Sequence, residues 1–118
     1  PRADGADQIA AGAALQRGWR LQAVLPFERS EYARDFAHED PALTFGNLVE
    51  AATCVLELPG DRGDEPAAYL LAGRAVVAQS DLMIALWDGE PPRGRGGTAE
   101  IVEQAVGAGV PVIHVPVQ

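Results

Sequence analysis

Apolar positions along this chain switch between two spacings. Short runs in which nearly every residue is apolar alternate with longer stretches where apolar residues return every three or four positions. The first spacing suits strands covered on both faces, the second amphipathic helices. Residues 7–17 are alanine-rich and predict a helix ended by Gly18, with Ile9 and Ala13 sharing a face with Ala10 or Gln16. Trp19 is then expected to pack against the sheet edge, and residues 20–25 form a strand stopped by Pro26. Residues 28–36 read as a polar connection with a short helical turn. Residues 41–52 read as a helix burying Leu43, Leu48 and Val49.

The second half repeats this alternation. Residues 53–58 predict a strand stopped by Pro59-Gly60, and residues 61–65 a polar, mobile turn. Pro66 opens a helix in which Tyr69, Leu70, Gly73, Val76 and Val77 recur at helical spacing. Residues 81–87 are an almost unbroken apolar run, as for a strand buried on both faces. A loop rich in proline, glycine and arginine fills 88–97. Residues 98–107 predict the last helix, with Ile101, Val102, Ala105 and Val106 on one face and Gly109 breaking it. Residues 110–117 predict the last strand, with Pro111 at its entry and Pro116 near its end. Strands alternating with helices predict an α/β fold of Rossmann-like kind: a mostly parallel sheet of four or five strands flanked by helices. Four strands make a small sheet of this type, so we expect the first βα unit to be missing. The 118 residues are expected to form a single domain.

Composition narrows the partners. A net charge of −8 disfavours general binding to nucleic-acid backbone or anionic membrane. No apolar run is long enough to span a bilayer. All nine basic residues are arginine, a planar fork suited to phosphate, although codon bias accounts for the same fact. The single cysteine, Cys54, lies in an apolar run and reads as a core residue rather than a nucleophile. One cysteine and no visible signal peptide lead us to expect a cytoplasmic protein.

Ligands of open parallel sheets bind at the carboxyl ends of strands. The loop after the third strand is the most informative there. Gly96 and Gly97 let backbone N–H groups approach an anion, Thr98 reads as the N-cap of the next helix, and Arg93 and Arg95 can clamp phosphate oxygens. The same glycines also serve a plain turn, and no lysine follows them as in a P-loop. Asp88 at the strand end suits a ribose hydroxyl or base edge, or simply starts a turn. Glu100 suits acid, base or nucleophile work at a sugar carbon, or is an acid favoured by the helix dipole; Glu103 reads as surface. After the first strand, Phe27 and Tyr32 can stack on a base or pack the loop, and packing is the reading we favour for Phe27. Trp87 reads as core or interface. His38 and His114 have no metal-ligand partner at useful spacing, and His114 reads as a satisfied core histidine. No metal site and no cofactor are expected.

Two stretches carry a family resemblance. The stretch Gly5-Ala6-Asp7-Gln8-Ile9-Ala10, with Gly18 and the strand ending Val24-Leu25-Pro26-Phe27, resembles the middle of a Smf/DprA-type domain. Residues 80–89, followed by Arg95-Gly96-Gly97-Thr98-Ala99-Glu100, are similar to the LOG branch and to nucleoside deoxyribosyltransferases. The segment Leu25-Pro26-Phe27 with Tyr32, Asp35 and Phe36 looks like a bacterial subgroup of the superfamily named SLOG after these two branches. The resemblance covers most of the chain and implies a Rossmann-like domain that binds nucleotides or nucleotide sugars. It maps the family's glycine loop onto Gly96, Gly97 and Thr98, and adds Gly5, Asp7 and Pro26 as ligand-binding candidates. LOG phosphoribohydrolases carry a glutamate three residues after that threonine. Here Ile101 holds the place, and Glu100 precedes it by about 100° of helix rotation.

We therefore expect a sensor-like domain holding a small phosphate-bearing ligand. The alternatives are an N-glycosidic hydrolase or transferase using Glu100, and an interaction domain with a vestigial site that acts through homo-oligomerisation.

Overall fold

In a computed structural model of the chain, residues 6–36, 41–92 and 97–116 are described. They fall into two compact units that meet in sequence between Pro59 and Gly60.

The first unit runs α1 (Ala6–Gln16), β1 (Gln22–Leu25), α2 (Arg29–Tyr32), a 3₁₀ turn (Ala33–Phe36), α3 (Pro41–Ala51) and β2 (Cys54–Glu57). β1 and β2 pair in parallel, with Gln22 opposite Cys54 and Leu25 opposite Glu57. Thr53 fastens the start of the pair: its N–H and its hydroxyl both donate to the Leu21 carbonyl, at 2.8 and 3.0 Å. Strand alternation puts Ala23, Leu25 and Val55 on one face. Leu25 packs there with Phe45 and Val49 of α3, and Ala23, Tyr32, Ala33 and Val55 border the cluster. Tyr32 meets Phe45 edge to face, with ring centroids 5.4 Å apart. An exposed Arg29–Glu57 ion pair at 3.4 Å ties α2 to the end of β2.

The second unit begins with a 3₁₀ turn (Arg62–Asp64), then α4 (Glu65–Ala78), β3 (Met83–Trp87), α5 (Thr98–Gly107) and β4 (Val112–Pro116). The stretch 61–65, expected as a loop, is thus partly helical. Asp61 stabilises the turn by accepting from Gly63 N at 2.8 Å, and Asp64 caps α4 by accepting from Ala67 N at 3.4 Å. β3 and β4 are parallel, with Met83 opposite Val112 and Trp87 opposite Pro116. The core is built from small residues: Ala68, Ala72 and Val77 of α4, Ala85 of β3, and Ala99, Val102 and Ala105 of α5. Small side chains let α4 and α5 approach closely. The approach is tightest at Gly73, where an added Cβ would fall against Ile101, 2.8 Å from its Cγ1 and nearer still to its Cδ1. α5 is followed by Gly109, whose φ of +78° suits glycine, and Val110 N–H turns back to the Ala105 carbonyl at 2.9 Å.

The α/β class and parallel pairing are as the pattern predicts. The single sheet of four or five strands is not what is seen: each unit holds a two-stranded parallel sheet of its own. Apolar periodicity locates strands but carries no record of which strand pairs with which. The expected covering of both faces fails for β3. Its run is apolar on both sides, yet only the face of Met83, Ala85 and Trp87 is packed. Ile84 and Leu86 remain 60% and 39% exposed, beside Ile113 and Val115 at 49% and 40%. Cys54 is exposed rather than core, because its alternation places it on the face opposite the Leu25 cluster. Trp19 is 67% exposed rather than packed, lying just beyond the turn that ends α1.

Candidate functional site

The segment from β3 to α5 is one strand–loop–helix unit, and the site is built from its two described ends. On the strand side, Trp87 closes β3 and a tight turn follows. The Glu90 N–H donates to Asp88 Oδ1 at 3.0 Å, and the Trp87 indole N–H donates to the Glu90 carbonyl at 3.1 Å. Gly89 sits between them with φ +81°, a conformation glycine adopts without strain. Asp88 thus starts a turn, the plainer of its two expected roles, while its side chain stays exposed to solvent.

On the helix side, the N-cap of α5 is Gly97 and not Thr98, which is the first helical residue. Either residue is acceptable as a cap, so composition does not choose between them. The consequence is chemical. Gly97 has no side chain to cap with, and α5 has no side-chain cap hydrogen bond. The N–H groups of Thr98 and Ala99 therefore have no acceptor within the helix and add to the positive end of its dipole. α4 contrasts with this, since the Asp64 carboxylate covers its N-terminus. Gly97 has an ordinary φ of −87°, and no atom of the described residues lies within 4 Å of where a Cβ would stand. Thr98 and Glu100 are half-buried beside it, and Glu103 faces solvent.

The other expected site residues divide as follows. Arg93, Arg95 and Gly96 of the glycine loop lie outside the described residues, as do Gly5 and His38. Asp7 lies in the first turn of α1. Pro26 is buried, and Phe27 is 1% exposed with its ring 6.3 Å from that of Tyr32. Tyr32 borders the cluster of Leu25, Phe45 and Val49, and Phe27 is buried beside Tyr32. Among the described residues no group of histidine, cysteine and acidic side chains could hold a metal ion, and no helix is long and apolar enough to cross a membrane.

One residue near the strand ends has a different role from the one expected. His114 is exposed, not a core histidine. Its ring lies 4.9 Å from Trp87, and Nε2 is 2.8 Å from the Trp87 carbonyl oxygen. A carbonyl only accepts, so Nε2 carries the proton and donates. The apolar neighbours Val112, Ile113 and Val115 hid this in the sequence. Only the parallel register, which sets His114 opposite Ala85, brings it within reach of Trp87.

Comparison with protein families, with curated proteins and with solved structures finds no match for this chain.

Proposed function

We propose that the chain is a nucleotide- or nucleotide-sugar-binding domain of the SLOG kind, sensor-like in role, holding its ligand's phosphate at the N-terminus of α5. One observation carries this reading. A ten-residue helix following the carboxyl end of a parallel strand starts at a glycine and has no side-chain cap. The alternative, an N-glycosidic hydrolase or transferase, draws on Glu100, which stands half-buried in the first turn of the same helix.

The test is thermal unfolding against inorganic phosphate, AMP, ADP and UDP-glucose, comparing wild type with Gly97→Asp. Aspartate is a better N-cap than glycine by a few tenths of a kcal/mol, and its Cβ meets no atom of the described residues. The variant should fold as well as wild type while placing a negative charge where the phosphate sits. Ligand at a hundred times its Kd stabilises wild type by about 2.7 kcal/mol. That gain should vanish in Gly97→Asp. Equal shifts in both proteins, or none at millimolar ligand, would overturn the reading. Free base released from AMP, and lost in Glu100→Gln, would favour the enzyme.

A further inference from the structure

His114 is held in a way that packing alone does not require. Its Nε2–H donates to the Trp87 carbonyl, which sets the neutral ring in one tautomer and leaves Nδ1 as a hydrogen-bond acceptor. The ring is braced by Trp87 at 4.9 Å, and Gly89 holds the turn so close that an added Cβ would stand 3.5 Å from Cε1. Trp87 is itself fixed through its indole bond to Glu90. The imidazole is therefore oriented in advance, at the carboxyl end of the β3·β4 pair, with no described residue accounting for Nδ1.

We propose that His114 Nδ1 is a ligand-recognition group, accepting a hydrogen bond from a neutral donor of the bound nucleotide, a sugar hydroxyl or an exocyclic amine. This rests on the nucleotide-binding reading and adds to it the residue that selects among nucleotides. The phosphate goes to α5, and the donor-bearing part goes to the strand ends.

Two substitutions separate the ring's two nitrogens. In His114→Gln the amide nitrogen reaches the Nε2 position and keeps a donor for the Trp87 carbonyl, but nothing accepts at Nδ1. In His114→Asn the amide oxygen stands near Nδ1 and accepts, while the bond to Trp87 is lost. Binding of AMP, 2′-deoxy-AMP and IMP would be measured by calorimetry on wild type and both variants, with unfolding midpoints in parallel. Loss of one neutral hydrogen bond weakens binding by about 3- to 10-fold. His114→Gln should show that loss for AMP with its stability kept, whereas His114→Asn should bind better than His114→Gln despite lower stability. A merely structural histidine would give the reverse order. If the donor is the sugar hydroxyl, 2′-deoxy-AMP shows the loss already in wild type; if it is the amine, IMP does. AMP binding that survives in His114→Gln and falls in His114→Asn overturns this proposal alone. If wild type binds no nucleotide, the nucleotide-binding reading fails and this proposal with it.

Discussion

Gly73→Ala is the sharpest test of the packing between α4 and α5. Gly73 lies inside a helix, where alanine is normally better by about 0.5–1 kcal/mol because it restricts the unfolded chain. Here the added methyl would meet three Ile101 atoms, Cδ1 closest, then Cγ1 at 2.8 Å and Cγ2 at 3.4 Å. Cδ1 can swing aside about χ2. Cγ1 cannot, since it moves only with χ1, and a β-branched residue in a helix has one strongly preferred χ1. The helices must then separate by several tenths of an ångström, an overpacking cost of about 1–3 kcal/mol. The expected net effect is a loss of about 1 kcal/mol, or roughly 4 °C in Tm for a chain of this size. In an Ile101→Ala background the obstacle is gone, and Gly73→Ala should become stabilising by its ordinary propensity gain. The coupling between the two sites should reach about 2 kcal/mol, within the range seen for residues in contact. Urea unfolding of the four proteins measures it. A Gly73→Ala variant as stable as wild type, or an effect identical in both backgrounds, would refute the close approach.

Other outcomes follow from single contacts. Phe27→Ala removes a fully buried ring and should cost about 3–5 kcal/mol by denaturant unfolding, whereas a ligand-stacking ring would cost little stability and much affinity. Cys54 should react stoichiometrically with a thiol reagent in the folded protein, and protection until unfolding would contradict its exposure. Asp64→Ala removes the cap of α4 and should lower stability by about 0.5–1 kcal/mol, read as a reduced urea midpoint. Gly109→Ala forces a left-handed φ on a side chain and should cost about 1–2 kcal/mol, with little change for Gly109→Asn.

Legibility in the sequence followed the range of the interaction. Helix α5 starts and stops where its periodicity and Gly109 say, and Pro66 lies in the first turn of α4, because both signals are local. The strand end and the helix start on either side of the candidate loop were equally readable. The cap of α5 was not, since Gly97 and Thr98 are adjacent and both acceptable, and the choice determines whether the helix start is closed or open. Exposure of Cys54 and Trp19 was lost for a related reason: apolar neighbours say that a segment is buried somewhere, not which of its faces. The role of His114 depends on register. No pattern within residues 110–117 points to a carbonyl 27 positions earlier. Strand pairing is likewise a long-range property, and there the expectation of one sheet went beyond what alternation can carry.

The two parallel pairs also bear on how the chain acquires its structure. Every described strand finds its partner within its own half, roughly thirty residues away across a helical connection. Closing such loops is entropically modest, and no strand of the first half waits for one of the second to pair. As the chain is synthesised, β1 and β2 can pair before the strands of the second half do. Folding by halves is then built into the order of the elements, with fast local closure favoured over the slow search that distant strand partners impose.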